Sequence, residues 1–256
     1  MIVHVHVLCF NEEILIPYFL DHYSFADKII LYDHESDDNS LDLLSDNVEV
    51  KTYSTGGEIR DDIWIDIKNN CWKTSRGEAD FVIVCDMDEF LFHPHIKEFL
   101  SFTKQMGYSL FQPVGYQTIG YPPDMWGVEL PSRHKKILFD PNKIEEINYL
   151  PGAHQCNPEG SIKLWKTRDL NLLHYKWLDL DYVINKYSKY SKRLSDINIE
   201  KGWSHHYLTK KEELTKYYKN LNIIAKEIIH RNEENDIMVI DSRDYTDGRR
   251  ALEKIL

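Results

Sequence analysis

The stretch that most constrains this chain is Phe81-Val82-Ile83-Val84-Cys85-Asp86-Met87-Asp88-Glu89-Phe90-Leu91-Phe92. It opens as an apolar run rich in β-branched residues, the pattern of a strand buried on both faces, as in a parallel sheet. Carboxylates then crowd its carboxyl end, where open α/β sheets bind ligands. Alternation along a strand lets Asp86 and Asp88 point the same way while Met87 points back. Carboxylates that close raise each other's pKa unless a cation lies between them. An oxygen-only pair suits Mg²⁺ or Mn²⁺ with positions left for substrate phosphates. The plainer alternative is a solvated turn or helix cap. Phe90, Leu91 and Phe92 weigh against it, because they would draw unpaired carboxylates into apolar surroundings.

The chain before this stretch predicts a βα series. Ile2 to Phe10 alternates as a first strand, with His4 and His6 as histidines on its surface. Asn11 is a natural N-cap for a helix carrying Leu15, Tyr18, Phe19 and His22. Lys28 to Tyr32 and Val48 to Tyr53 read as further strands, and Ile59, Ile63, Ile67 and Cys71 mark a helix between the last of these and Phe81. The order β-α-β-α-β-α-β argues a parallel sheet with helices on its faces. The acidic loop after Tyr32 does not make a calcium-binding EF-hand loop: Asp38 stands where Gly is required and Leu44 where Glu is required. Asp33 instead offers an acceptor for a ribose hydroxyl or a base N–H. Arg60, just after Gly56-Gly57, could reach a phosphate, whereas Lys68 reads as part of a solvated helix face.

Downstream, Pro94 to Met106 reads as a helix and Ser109 to Val114 as a strand. Gly115 to Arg133, rich in Gly, Pro and aromatic residues, reads as a long loop of the kind that often carries function. A further strand starts at His134. His154 and His174 each follow or sit within an apolar stretch, and one of them is a candidate to complete a metal site with the carboxylate pair. Helical periodicity returns from Leu180, and again over Leu214, Tyr217, Leu221, Ile224 and Ile228. The tail from Asn232 is polar and weakly patterned.

In 256 residues, 42 are acidic and 31 basic, a formal charge of −11 that argues against non-specific nucleic-acid binding. A polyphosphate bound by so acidic a chain would be expected to need a metal. Cys9, Cys71, Cys85 and Cys156 lack metal-site or redox spacing, so reduced core thiols and a cytoplasmic home are expected. No signal-peptide pattern and no apolar run of membrane-spanning length is seen.

Taken in order, several segments carry a resemblance. They are Val7-Leu8-Cys9-Phe10-Asn11-Glu12-Glu13, Tyr32-Asp33-His34-Glu35-Ser36-Asp37-Asp38, the strand from Ala79 through Phe90, Gly152-x-His154, and His174-Tyr175-Lys176. Together they resemble a GT-A glycosyltransferase of the family 2-like group, in the branch whose metal motif reads D-x-D-E-F. The match spans roughly residues 1–195. The resemblance implies a GT-A-like (Rossmann-like) α/β fold, with a mostly parallel sheet flanked by helices over 1–195; the last sixty residues lie outside it, and their helical periodicity predicts a C-terminal helical extension over 196–256 packed on that domain. It implies transfer of a sugar from a nucleotide-diphosphate donor, weakly a UDP-sugar, to a hydroxyl acceptor such as a glycan or polysaccharide. Asn11, Glu12 and Asp33 would line the nucleotide pocket. Asp86 would face the donor's ribose or sugar, and Asp88 would bind Mn²⁺ or Mg²⁺, with His174 or else His154 as a further ligand. An inverting enzyme also needs a carboxylate base. This chain lacks the family's Glu-Asp pair after the D-x-D strand, leaving Asp124 and Glu129 as candidates and the choice between inverting and retaining chemistry open. The alternatives are a catalytically inert nucleotide-sugar or glycan-binding module, and a haloacid-dehalogenase-type phosphatase. The latter is disfavoured because Glu89-Phe90 follows its D-x-D motif.

Overall fold

The computed structural model describes residues 1–232 and 237–240. It is a mixed α/β protein built on two sheets. The first has the strand order β3-β2-β1-β4-β9-β6-β12. Its half formed by β1 (Val3–Cys9), β2 (Lys28–Asp33), β3 (Val48–Thr52) and β4 (Phe81–Asp86) is wholly parallel, with β1 between β2 and β4. Helices α1 (Ile16–His22) and α2 (Asp61–Asn70) make the first and last of its crossovers. The expected βα series is therefore present except in its middle crossover, where the expected helix is reduced to the 3₁₀ turn Leu41–Leu43.

Burial on both faces explains the continuous apolar runs. Val3, Val5 and Val7 of β1 pack with Phe81, Ile83 and Cys85 of β4 in one core, while Leu8, Val82 and Val84 pack with Trp72 in another. His4 and His6 depart from the expectation, for they are not on a strand surface. The 3₁₀ turn Cys71–Ser75 covers their face, and Ser75 Oγ sits 2.8 Å from His4 Nδ1 and 2.9 Å from His6 Nε2. Tyr32 OH completes the set at 3.2 Å from His6 Nδ1. Burial, then His4 and Lys51, push the His6 pKa down to about 3. Its ordinary value is higher, so on acidification the unfolded chain takes up the proton first, and stability falls from about pH 6.5 downward. His6 alone should remove about 2 kcal/mol by pH 5. Urea midpoints measured at pH 7 and pH 5 would show the loss, with a shallower dependence in His6→Gln. A pH-independent midpoint would contradict the buried neutral imidazole.

After β5 (Glu89–Phe92) come α3 (Ile96–Gln105), β6 (Leu110–Phe111), β7 (Val114–Ile119), β8 (Trp126–Glu129), β9 (Leu138–Phe139), β10 (Ile144–Glu146), β11 (Glu159–Gly160), β12 (Leu164–Trp165) and β13 (Asn171–Trp177). The second sheet has the order β14-β8-β7-β13-β5, where β14 is Lys226–Glu227. The expected loop from Gly115 to Arg133 is thus in large part the antiparallel hairpin β7–β8. Gly120, at φ 91°, opens its turn, whereas Gly115 and Gly127 serve close approach. A Cβ on Gly115 would lie 2.0 Å from the Arg133 carbonyl oxygen, and one on Gly127 would lie 2.4 Å from that of Gln117. The strand expected from His134 is reduced to Leu138–Phe139. The helix expected from Asn11 starts at Ile16, because Asn11 itself sits at φ 53° in the preceding loop.

Past β13, α4 (Leu180–Ser191), α5 (Asp196–Lys201) and α6 (Lys211–Ile224) follow. Leu214, Tyr217 and Leu221 of α6 share a core with Val183 and Tyr187 of α4 and with Val128 and Trp177 of the second sheet. The extension is helical only to Ile224. β14 then pairs with β8, and β15 (Ile229–Asn232) pairs with β16 (Ile237–Ile240). Ile228, expected on the last helix, lies beyond its end and is buried in the main core. The rest of the expected extension, 241–256, lies outside the described residues.

Candidate active site

The chain leaves the first sheet at Asp86, turns through Met87-Asp88, and enters the second at Glu89. The acidic motif therefore lies at the seam of the two sheets, at the carboxyl end of β4. Strand β13 brings in the histidine: it pairs antiparallel with β5 so that His174 stands opposite Glu89, and Tyr175 N donates to the Asp88 carbonyl at 2.7 Å. The cleft at this seam is bounded by the ends of β1 and β4, one face of α2, the segment carrying Arg133 and Lys135, and part of the C-terminal segment.

Asp86 does not stand free as a metal ligand. Lys68 Nζ lies 2.6 Å from Asp86 Oδ1, and Lys135 Nζ lies 3.6 Å from Asp86 Oδ2. Burial alone would raise the Asp86 carboxyl; Lys68 and Lys135 outweigh it and hold the group well below the usual carboxylate range. Lys68, read from sequence as solvated, is buried, because Asp61, Trp64, Ile65 and Lys68 form the single face of α2 that lines the cleft.

Glu89, without an assigned role in the sequence, is fully buried and braces the turn. Its Oε1 is 2.5 Å from Lys135 Nζ, and its Oε2 accepts from Asp86 N at 2.9 Å. Among the described residues Asp88 has no lysine partner; its Oδ1 faces His174 Nε2 at 3.6 Å. Neither ring nitrogen of His174 is hydrogen-bonded among the described residues, and Nδ1 is buried without a partner. Burial, then Arg133 and Lys135, push the His174 pKa far down, so the imidazole is neutral and a competent donor. His154 is exposed and its Nδ1 lies against the Ser132 carbonyl oxygen at 2.6 Å, though the residue still lines the cleft.

Among the described residues no three His, Cys, Asp or Glu side chains converge as a closed ligand set. The site does fit a looser arrangement, in which Asp88 and His174 hold a hard cation and substrate oxygens and water complete it, the usual manner of Mg²⁺. A cation there would satisfy the imidazole nitrogen that faces Asp88.

Two further cations mark the cleft. Arg133 and Lys176 are both buried, and neither has a carboxylate within 4 Å among the described residues. Arg133 Nε is buried with no hydrogen-bond partner. Lys176 Nζ stands 5.1 Å from the Tyr187 ring centroid and 5.3 Å from that of Tyr207, and burial followed by Arg133 pushes its pKa well down. The remaining lysine is balanced, since Lys186 Nζ binds Glu12 Oε1 at 2.6 Å. Arg133 thus stands in the cleft as a cation without an ion-pair partner among the described residues, and Lys176 beside it is an amine that a bound anion would draw back to its charged form. Buried cations without partners are costly. An anion in the cleft would offset that cost.

The other sequence candidates fall as follows. Glu12 lines the cleft, buried and held by Lys186 and Tyr182 OH. Asn11 and Asp33 do not line it: Asn11 ties the first loop to Asp37 through a 2.5 Å hydrogen bond, and Asp33 caps the next loop by accepting from Ser36 N at 3.3 and 3.2 Å. Arg60 is turned away, its guanidinium engaged by Asp62 at 2.9 and 2.6 Å. The base candidates are also displaced. Asp124 is exposed on the β7–β8 turn, and Glu129 is bound by Arg168 at 2.7 Å, so neither lines the cleft. The sequence assigns no role at the site to Arg133, Lys135 or Asp61, and places Lys68 on a solvated helix face. Only the last two left a signal, the helical spacing of the α2 face.

No protein-family model matches the chain, and no curated protein matches it. Among solved structures it is similar to S. aureus TarS, at TM-score 0.47 and 12% identity over 86% of this chain. It is also similar to S. aureus TarS 1-349 in complex with UDP-GlcNAc, at TM-score 0.42 and 12% identity, covering 86% of this chain and 72% of that one. The complex of the same protein with UDP gives TM-score 0.44 and 12% identity, covering 86% and 71%. The chain spans 43% of the length of the first of these structures.

Proposed function

We propose that this chain is a nucleotide-sugar-dependent glycosyltransferase acting on a hydroxyl acceptor. The observation that carries the reading is the pairing of Arg133 and Lys176, cations without carboxylate partners, with the Asp88–His174 pair in one cleft at the carboxyl edge of a parallel sheet. A diphosphate leaving group needs this complement. In the transfer step the bond from the anomeric carbon to the diphosphate oxygen breaks, the electron pair leaves with the diphosphate, and the acceptor hydroxyl bonds to that carbon as its proton passes to solvent water. Arg133 and Lys176 face the charge that develops on the leaving group, where fixed cations in a dry site act most strongly. Lys68 and Lys135 hold Asp86 ionised and in place, so the turn presenting Asp88 is rigid before substrate arrives. Asp88 and His174 would hold Mn²⁺ or Mg²⁺, which as a Lewis acid would stabilise the departing diphosphate.

Inverting, single-displacement transfer is the course we favour. What supports it is that, among the described residues, Glu12 and Asp86 are each held by a lysine and so are not free to form a glycosyl-enzyme bond. The four thiols are free and three are buried, which fits the cytoplasmic setting expected from the sequence. Among the described residues no helix is long and apolar enough to cross a membrane.

Thermal-shift measurement with UDP-, GDP-, CMP- and dTDP-sugars, with and without Mn²⁺, tests the reading. A nucleotide-diphosphate donor at about 100 times its Kd should stabilise the protein by about 2.7 kcal/mol, and by more with Mn²⁺ present than without. Stabilisation by none of the panel would contradict it.

A further inference from the structure

The C-terminal segment, which the family resemblance does not reach, forms part of the cleft wall. Ser204 and His206 line the cleft beside Asp61. Several bonds fix this wall against the start of α2. Ile59 N donates to the Arg193 carbonyl at 2.6 Å, Ser195 Oγ donates to the Ile59 carbonyl at 2.8 Å, and Asp61 N donates to Asn198 Oδ1 at 3.1 Å. Ser204, held in the left-handed region at φ 55°, places its Oγ 3.0 and 2.9 Å from the two oxygens of Asp61. A residue in that region is worth explaining by what it holds in place.

One hydroxyl carries one proton, so Ser204 uses only a fraction of the acceptor capacity of a carboxylate. Asp61 is buried, has no lysine within 4 Å among the described residues, and faces the cleft beside Trp64 and Tyr53. A carboxylate with spare lone pairs next to an aromatic wall suits a ligand that donates two neighbouring hydroxyls and carries a flat ring. Acidic residues read ribose hydroxyls in other nucleotide folds for the same reason. We propose that Asp61, steadied by Ser204, is the residue of this cleft that recognises the vicinal diol of the ligand, and that this diol is the ribose of the donor nucleotide. The assignment rests on the cleft being a nucleotide site.

Calorimetric titration in Mn²⁺ buffer with UDP, 2′-deoxy-UDP and pyrophosphate tests it, with a UDP-sugar added as a fourth probe. Wild type should bind UDP about tenfold more tightly than 2′-deoxy-UDP. Asp61→Asn should weaken UDP about tenfold, leave 2′-deoxy-UDP and pyrophosphate within about twofold, and so erase the preference. Ser204→Ala keeps the carboxylate and should give a smaller loss in the same direction, and unchanged pyrophosphate binding shows that the variants keep the cleft. A loss confined to the UDP-sugar would assign the diol to the sugar and overturn the ribose assignment. A preference for UDP that survives in Asp61→Asn would overturn the proposal while leaving the nucleotide site standing. A wild type that binds neither UDP nor pyrophosphate would overturn the nucleotide reading itself.

Discussion

Asp88→Ala is expected to lower turnover of a nucleotide sugar by about two to three orders of magnitude while leaving the fold almost unchanged. The functional loss follows from position, since Asp88 lines the cleft, has no lysine within 4 Å among the described residues, and faces His174 at 3.6 Å. The small structural effect follows from how the turn is held. The Asp88 carbonyl, which alanine keeps, accepts from Tyr175 N at 2.7 Å, and Glu89 holds Asp86 N. The melting temperature should therefore shift by no more than a few degrees. Steady-state kinetics with and without Mn²⁺ check the origin of the loss: the variant should lose most of the metal stimulation as well as kcat. A variant with near-wild-type turnover would remove Asp88 from the chemistry.

Lys135→Met is expected to have the largest effect on stability. Lys135 is the cation against Glu89, 2.5 Å from Oε1, and Glu89 is 0% exposed. Removing it leaves a carboxylate with no solvent and only distant cations. Breaking a buried pair on one side costs about 3–5 kcal/mol, which for a chain of this size lowers the melting temperature by on the order of 10 °C. Lys68→Met should cost less, because its partner Asp86 has a side chain 36% exposed and water can replace the lost charge. The double variant Lys135→Met/Glu89→Gln should recover at least half of the loss, since glutamine keeps an acceptor for Asp86 N without a buried charge. Differential scanning calorimetry of the variants decides it. A double variant no more stable than Lys135→Met alone would mean that the buried charge is not the cause.

The first four strands were legible because parallel strands covered on both faces leave continuous apolar runs, as in Val3 to Cys9 and Phe81 to Cys85. The same coverage misled the reading of His4 and His6, since alternation alone cannot distinguish a solvated face from one roofed by a turn. The β7–β8 hairpin was hidden by Gly115 and Gly127, which read as loop formers and act as gaps for neighbouring backbone. At the site, Asp86, Asp88 and His174 were legible from their strand ends, and the structure brings them to one seam. The lysines that hold Asp86, and Arg133 beside them, were not. They come from α2 and from an irregular segment, and no local period links them to the acidic motif. The nearest signal is the helical spacing of Asp61, Trp64, Ile65 and Lys68, and it does not reveal burial because Lys is so seldom buried.

In the proposed function, Arg133 and Lys176 make this cleft a diphosphate site. Calorimetric titration of UDP into wild type and into Arg133→Ala/Lys176→Ala, in Mn²⁺ buffer, tests it most directly. The account predicts saturable binding by the wild type and a loss of at least about 100-fold in the double variant, roughly 1.5 kcal/mol from each charge-assisted contact, with the melting temperature unchanged or raised as buried unpaired charge is removed. Equal affinity in the two proteins, or no binding by the wild type, would contradict it.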